Sequence, residues 1–379
     1  MHIALVGTRG VPARYGGFET CVEEVGQRLA AANHRVTVYC RPNSDVDRLD
    51  SYKGMQLVRL PALHRRSLET LSHTGLSVGH LVGHRADAAI VFNAANSPYL
   101  PLLRMARIPV ATHVDGLEWK RAKWGAGGRR FYRYAESMSV RWSDALIADA
   151  KGIQDYYDRE VGVETELISY GAPHVTHALD RLPELGLEPE GYHLVVARFE
   201  PENHVDLIVE GYVRSKALLP LVVVGSAPYA DRYTQSVHAS GDSRVRFLGG
   251  VWDQDLLDQL YANALSYVHG HSVGGTNPSL LRAIGSGTAT TAFDVSFNRD
   301  VLQESGLYFK SSADVARAVE ETESERAATS NRAALAAQRA TDYDWDDVAA
   351  SYERLCVRLA ARDFVRRSGG LALRRSSHR

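Results

Sequence analysis

Three clusters of residues in this sequence have side chains and spacing suited to binding phosphates or sugar hydroxyls. The first is a glycine-rich loop that follows the apolar run 2–6 and places Gly16 and Gly17 directly before an amphipathic helical pattern. Adjacent glycines let backbone N–H groups approach a ligand closely, and a helix N-terminus carries partial positive charge. The loop therefore predicts a site for a phosphate or for sugar hydroxyls, with a flexible surface loop as the alternative.

The second cluster begins at the last residue of the predicted strand 110–113. It contains His113, Asp115 and Glu118. Ligands of open α/β sheets bind at the carboxyl ends of strands, and these three side chains can perform acid–base catalysis or orient sugar hydroxyls. Their spacing matches no standard set of metal ligands. The alternative is a helix cap at Asp115 and a solvated Glu118.

The third cluster lies in the second half of the chain. Arg198 follows a predicted strand, and its planar, permanently charged guanidinium is well suited to a diphosphate; a surface salt bridge is the alternative. Another predicted strand leads into 269–281, which is rich in glycine and hydroxyl groups and contains a helix-start pattern at Asn277-Pro278-Ser279. We expect the N–H groups of this helix start to bind a pyrophosphate, with an ordinary capped helix as the alternative.

Alternating strand and helix patterns run through both halves of the 379-residue chain. A polar stretch with three prolines, 173–191, interrupts them and is interpreted as a linker. The predicted fold class is α/β, with two Rossmann-like doubly wound domains over 1–172 and 192–343. A long amphipathic helix is predicted over 344–362, and the basic segment 363–379 is predicted to be a disordered tail.

Composition and charge exclude several kinds of partner. The net charge of −1 argues against nucleic-acid binding. No run of about 18 apolar residues occurs, the first apolar run is too short for a signal peptide, and the three cysteines are widely spaced, so a cytoplasmic protein is expected. Residues 119–133 interleave six basic residues with four aromatic ones and contain no acid. This stretch predicts contact with an anionic membrane surface, with a solvated helix face as the alternative.

Taken together, the three clusters resemble motifs of GT-B glycosyltransferases of the family 4 type, in particular the rhamnosyltransferase-like branch. Residues 7–20 resemble the opening motif of that branch nearly residue for residue, and 115–121 and 272–281 are similar to its later signatures. The likeness runs from Met1 to about Ala361. It implies two Rossmann-like domains facing across a cleft, with the last helix crossing back onto the first domain.

The resemblance also implies roles for particular residues. Gly16 and Gly17 would line the donor phosphates and the acceptor side, His113 and Asp115 would face the reacting sugar, and Arg198 would neutralise the diphosphate leaving group. The segment Asn277–Leu281 would offer N–H groups to that diphosphate. The implied reaction retains the configuration of the sugar, needs no metal or other cofactor, and releases a nucleoside diphosphate.

The sequence departs from the wider family at three positions. Asn203 replaces the lysine that usually follows Arg198 by five residues, Gly274 replaces the first of two glutamates, and Arg282 replaces the second. His271 is the nearest polar candidate for the role of the first lost glutamate. We hypothesise that Arg282 supplies the positive charge of the missing lysine. A thymidine nucleotide has no ribose 2′-hydroxyl, so the loss of a glutamate would affect its binding less.

These features predict a glycosyltransferase that moves L-rhamnose from dTDP-rhamnose to a glycan or polyprenyl-linked acceptor in cell-surface polysaccharide synthesis. Its location would be cytoplasmic and peripheral on the inner face of the membrane. The alternatives are a catalytically silent scaffold in a polysaccharide-assembly complex and a nucleotide-sugar epimerase or phosphorylase. The predicted catalytic residues are His113, Asp115 and Glu118, and the predicted donor-binding residues are Gly16, Gly17, Arg198, His271, Gly274, Gly275, Thr276, Asn277, Pro278, Ser279 and Arg282.

Overall fold

A computed structural model describes residues 1–13, 16–42, 49–63, 68–114, 116–121, 124–175, 178–226 and 231–364. Asp115 lies outside these residues, as does the predicted tail beyond Phe364. The chain divides into two compact units. Residues 1–169 form the first unit together with the C-terminal segment that starts at Trp345, and residues 170–344 form the second.

The first unit is built on an eight-stranded sheet in the order β3-β4-β2-β1-β5-β6-β7-β8, parallel except for the β3–β4 pair. Its strands are β1 (His2–Val6), β2 (Arg35–Cys40), β3 (Ser51–Tyr52), β4 (Met55–Arg59), β5 (Ala88–Phe92), β6 (Val110–His113), β7 (Ala145–Ala148) and β8 (Glu166–Leu167). The chain winds outward in both directions from β1. The carboxyl ends of β1 and β5 therefore flank the switch point where such sheets bind ligands.

Helices cover this sheet because each one buries a single apolar stripe. In the helix after the glycine-rich loop, Cys21, Val22, Val25 and Leu29 recur at helical spacing and are all buried. The helices of the first unit up to residue 169 are α1 (Gly17–Ala31), α2 (Glu69–His84), α3 (Leu100–Met105), α4 (Ala126–Trp142) and α5 (Lys151–Tyr156).

The second unit repeats the same design with a six-stranded parallel sheet in the order β11-β10-β9-β12-β13-β14. Its strands are β9 (His193–Val196), β10 (Leu221–Val224), β11 (Val245–Gly249), β12 (Ser266–His269), β13 (Thr290–Phe293) and β14 (Gly306–Phe309). Its helices are α6 (Val205–Arg214), α7 (Asp231–Ser240), α8 (Gln254–Ala262), α9 (Pro278–Gly285), α10 (Ser296–Leu302), α11 (Ser312–Ser324) and α12 (Arg326–Ala340). The direction of winding reverses between the neighbouring strands β9 and β12, so this sheet also has a switch point.

The stretch interpreted as a linker is packed into the second unit. Leu182 and Leu187 are buried in a core cluster with Tyr192 and the strands β9 and β10. Prolines end regular elements but do not prevent apolar side chains from being buried, and here two leucines bury enough surface to fix the segment.

The last helix, α13 (Trp345–Ala360), belongs to the first unit and packs on α1. Tyr352 is buried there, and its hydroxyl accepts a hydrogen bond from the Cys21 thiol at 3.6 Å. At the helix surface His34 Nε2 lies 2.8 Å from Glu353 Oε1. Within the described ranges, no helix combines the length and the apolar character that crossing a membrane requires.

Candidate functional site

In the second unit, Arg198 and the loop after β12 lie at the carboxyl ends of the neighbouring strands β9 and β12. These two strands flank the switch point, so the topology brings together two segments that are 71 residues apart, at 198 and 269. The Arg198 side chain is 39% exposed, and its Nη1 lies 3.7 Å from Glu200 Oε1, beyond direct hydrogen-bond distance. The guanidinium therefore stands at the edge of the sheet where a ligand can reach it.

Asn203, the residue in place of the family's lysine, connects the two loops. Its Nδ2 donates to the Arg198 carbonyl oxygen at 2.8 Å, which turns its Oδ1 towards His271 Nδ1 at 2.7 Å. An amide oxygen only accepts, so the Nδ1 atom of His271 must carry the proton. On the other side, Asn298 Nδ2 donates to the His271 carbonyl oxygen at 2.9 Å. The loop after β9, the loop after β12 and helix α10 are thus joined to one another through His271.

Gly270 permits this close approach of the two loops. A Cβ atom at this position would lie 2.0 Å from the Asn203 carbonyl oxygen, well inside van der Waals contact. Sequence reasoning did not single out Gly270, although it stands between His269, which ends β12, and His271. In the same loop Gly274 has a φ of 138°, a conformation that favours glycine.

The start of α9 supports the alternative of a capped helix rather than a set of unpaired N–H groups. The Asn277 side chain accepts from the Ser279 N–H at 2.9 Å, and the Asn277 carbonyl oxygen accepts from the Leu280 N–H at 3.0 Å. Pro278 has no N–H, so Asn277 itself satisfies the first turn. A ligand in this loop would therefore depend on the backbone that precedes the cap, at Gly274, Gly275 and the buried Thr276.

Arg282, which was hypothesised to supply the charge of the missing lysine, has two partners on α8. Its Nη2 donates to Gln254 Oε1 at 2.9 Å, and its Nη1 lies 3.4 Å from Asp258 Oδ1, both on α8. Arg282 lies four residues after Pro278, on the side of α9 that faces α8. The guanidinium thus offsets the charge of Asp258. Burial raises the pKa of this carboxyl group, and the nearby Arg282 makes that rise smaller.

In the first unit, Gly16 and Gly17 lie where the sequence predicted, at the start of α1. Gly16 has a φ of 108°, and a Cβ atom there would lie 2.5 Å from Glu19 Oε2. Glu19 Oε1 accepts from the Arg9 N–H at 3.0 Å, and burial raises the pKa of Glu19. A carboxylate at this helix start repels phosphate and accepts hydrogen bonds from hydroxyl groups, so the site favours sugar hydroxyls over phosphate.

His113 ends β6 and is packed between two aromatic rings near the start of α1. The ring centroids of Phe18 and Phe92 lie 5.1 and 5.6 Å from that of His113. The imidazole is fully buried, and this burial lowers the pKa of His113 to about 3. The structure therefore brings His113 close to the helix start that carries Gly16 and Gly17, in a neutral form at physiological pH.

The buried imidazole should make stability depend on pH. The pKa of His113 is lowered from its ordinary 6.5 to about 3, so between these values the unfolded chain binds a proton that the folded chain does not. Well above pH 6.5, His113 is neutral in both states and does not change the free energy of unfolding. As the pH falls, protonation of the unfolded chain lowers that free energy increasingly, by about 2 kcal/mol at pH 5. Urea unfolding of His113→Asn should show a flatter loss of stability between pH 6.5 and 4. The exposed His174→Asn serves as the control, and equal slopes for wild type and His113→Asn would contradict the buried, neutral assignment.

Glu118, predicted as an acid–base residue, is held in a buried ion pair. Its Oε1 lies 2.8 Å from Nε of Arg121, and its Oε2 accepts from the Trp124 indole N–H at 3.0 Å. Both charged side chains are less than a tenth exposed. These contacts give Glu118 a structural role, and the third member of the predicted trio, Asp115, lies outside the described residues.

Some side chains of the basic–aromatic stretch 119–133 are buried and others are exposed. Arg121 is buried in its pair with Glu118, whereas Arg129, Arg130 and Arg133 are exposed on α4. The Arg133 guanidinium lies 4.4 Å from the Trp119 ring centroid, which keeps the indole near the basic surface. Only part of the stretch is therefore available to an external partner.

Sequence reasoning missed Asn96, which fixes the first unit's switch point. Its Nδ2 donates to the carbonyl oxygens of Gly7 and Phe92, at 3.1 and 2.8 Å, and thereby joins the ends of β1 and β5. The position of Asn96 in the sequence could have identified it. It is a polar amide four residues after an apolar strand that ends at the switch point.

Comparison with protein families assigns the second unit. Residues 190–324, which include Arg198 and the loop after β12, match the family model described as glycosyl transferases group 1. Residues 190–324 are a glycosyltransferase group 1 domain. This match confirms the predicted class of protein, a glycosyltransferase, for the second unit. Residues 1–63 and 109–173 match a domain of unknown function, DUF1972.

Among curated proteins, the chain is similar to the GtfA subunit of the UDP-N-acetylglucosamine–peptide N-acetylglucosaminyltransferase of Streptococcus gordonii. The two are 26% identical over 148 residues, which is 34% of this chain and 29% of the relative. The match thus spans less than a third of the length of that relative.

Solved structures show the same fold along nearly the whole chain. Sucrose-phosphate synthase from Thermosynechococcus elongatus has a TM-score of 0.83 at 20% identity, covering 95% of this chain and 99% of its own. HepE of Anabaena in complex with UDP-glucose has a TM-score of 0.77 at 15% identity, covering 94% and 100%. These neighbours, together with the parallel sheets of both units, confirm the predicted α/β class with two Rossmann-like domains of the GT-B type.

Proposed function

We propose that this chain transfers a sugar from a nucleotide donor and that the glycosyltransferase domain binds the donor where β9 and β12 end. The single observation that carries the proposal is the meeting of Arg198 with the loop 270–277 at the sheet's switch point. Both segments lie inside the matched domain, and they are bound to each other through Asn203 and His271.

Arg198 would act on the leaving group. As the bond between sugar and diphosphate breaks, negative charge develops on the diphosphate, and a guanidinium fork stabilises it with two parallel hydrogen bonds. Since Asn203 stands in place of the usual lysine, Arg198 would supply the positive charge of this loop alone. The backbone at Gly274, Gly275 and Thr276 would add N–H donors without charge.

For the donor, we propose dTDP-rhamnose, with retention of configuration and without a metal or other cofactor. The support is the resemblance of residues 7–20, 115–121 and 272–281 to the rhamnosyltransferase-like motifs. HepE was solved with UDP and with UDP-glucose, which supports a nucleotide sugar as the class of donor. A deoxyribose nucleotide fits the absence of the glutamate at position 282, because it has no 2′-hydroxyl to bind there.

For the acceptor, we propose a glycan or a polyprenyl-linked sugar bound by the first unit. The Glu19 carboxylate beside Gly16 favours a hydroxyl-bearing ligand at the start of α1. The exposed arginines of α4, Arg129, Arg130 and Arg133, would hold this unit against an anionic membrane surface on the cytoplasmic side.

Product analysis with purified protein tests this proposal. We expect release of dTDP from dTDP-rhamnose to exceed release of nucleoside diphosphate from UDP- and GDP-sugars. A faster reaction with another donor would overturn rhamnose as the transferred sugar. An isomerised sugar still attached to its nucleotide would indicate an epimerase, and no turnover of any donor would indicate a scaffold; either result overturns the transferase.

A further inference from the structure

A second candidate binding site lies at the opposite edge of the first unit's sheet. A small pocket is lined by Arg104, Arg107, Arg362, Asp144 and an apolar floor that includes Leu359 and Phe364. It lies next to the amino ends of β6 and β7, because Asp144 directly precedes β7. His113 ends β6 at its carboxyl end, so the pocket and His113 lie at opposite ends of this strand.

Three arginines line this pocket, with little negative charge to balance them. Across the described ranges, no carboxylate lies within 4.0 Å of the guanidinium of Arg104, Arg107 or Arg362. Asp144 is the acid in the lining, and its Oδ2 accepts from the Val110 N–H at 2.9 Å. The pocket therefore carries net positive charge.

The backbone at two of these arginines is unfavourable for any residue with a side chain. Arg107 has a φ of 58° and Arg362 a φ of 59°, both just after the ends of helices, α3 and α13. Glycine is preferred at such left-handed positions, because a Cβ atom crowds the backbone there. The Arg362 Nη2 donates to the Arg107 carbonyl oxygen at 3.4 Å, so the two helix ends meet at the pocket.

Attraction to the helix ends explains these arginines only in part. A cation near a helix C-terminus is stabilised by the partial negative charge there, and a glycine would avoid the backbone cost. That attraction does not explain why three arginines from two helix ends line one hollow. It also leaves the apolar floor of the hollow without a role.

We propose that this pocket binds the phosphate group of a phosphorylated ligand. Each guanidinium group can donate two parallel hydrogen bonds to phosphate oxygens. Three such groups match a phosphate monoester better than they match a single carboxylate. Phe364, which is half-buried, would contact an apolar part of the same ligand. The ligand would join the end of α13 to the edge of the sheet, and this role does not depend on the proposed transfer activity.

Calorimetric titration of the full chain with inorganic phosphate and with glycerol 3-phosphate tests this site. The double variant Arg107→Gly/Arg362→Gly removes two guanidiniums and relieves both left-handed residues, so it should fold at least as stably as wild type. We expect it to bind phosphate about 10-fold more weakly or worse. Asn33→Gly, with a φ of 64° at Asn33 and no place in the pocket, is the matched control and should bind as wild type does.

Two further arms identify the source of the phosphate and the site. Flotation with phosphatidic acid vesicles, without binding of free phosphate, would indicate a lipid headgroup. Binding of the free anion would indicate a soluble ligand. Either result supports the pocket if the double variant abolishes the binding. Arg214→Ala removes an exposed arginine of the second unit that has no place in either proposed site, and it should leave the titration unchanged. Loss of binding in Arg214→Ala, or unaltered binding in the double variant, or no binding in any arm, would overturn the proposal.

Discussion

Arg198→Ala is expected to lower kcat by about 100- to 1000-fold at saturating donor, the usual effect of removing one group that stabilises charge in a transition state. The reason is that this guanidinium would face the diphosphate as the sugar leaves, with Asn203 at the position where the resembled family has a lysine. The Arg198 side chain is 39% exposed, so the thermal midpoint should change little. Steady-state release of nucleoside diphosphate measures the effect.

Two variants control this experiment. Arg198→Lys keeps the charge but loses the planar fork, and we expect an intermediate kcat. Arg214→Ala removes a more exposed arginine of the same unit, on α6, and should leave kcat unchanged. Near-normal turnover of Arg198→Ala with a saturable donor would contradict the assignment of Arg198 to the leaving group.

Glu118→Gln is expected to destabilise the first unit by about 3 kcal/mol, because it removes a carboxylate 2.8 Å from the buried Arg121 guanidinium. The change keeps the shape of the side chain and removes its charge. Denaturant unfolding, with activity measured at a temperature where the variant is folded, separates a structural role from a catalytic one.

The partner variants complete that test. Arg121→Leu leaves Glu118 buried without this cation and should cost a comparable amount, whereas Glu118→Leu/Arg121→Leu should recover much of the stability, because no buried charge remains. A Glu118→Gln protein with unchanged stability and lost turnover would restore Glu118 as a catalytic residue.

The fold and the positions of the main loops could be predicted from the sequence because they depend on local patterns. Apolar runs of four or five residues, such as 2–6 and 88–92, have few structural options besides buried parallel strands. Asn277-Pro278-Ser279 is a helix start by local chemistry alone. Strand β4 was missed, since its alternation of Met55 and Leu57 with polar residues is short and follows a polar stretch.

Side-chain partners were harder to predict, because they depend on which elements become neighbours. The direction of Arg282 is set by α8, whose Asp258 and Gln254 precede it by 24 and 28 residues. Glu118 and Arg121 are only three residues apart, yet their burial is a property of the folded unit. The segment 173–191 shows a composition typical of a linker, while Leu182 and Leu187 find a core to enter.

Hydrogen exchange of the full chain, with and without dTDP, tests most directly whether the donor binds where β9 and β12 end. We predict slower exchange at 198–204 and 270–277, with the rest of the glycosyltransferase domain little changed. Protection confined to other segments, or none at a dTDP concentration that saturates turnover, would contradict the account.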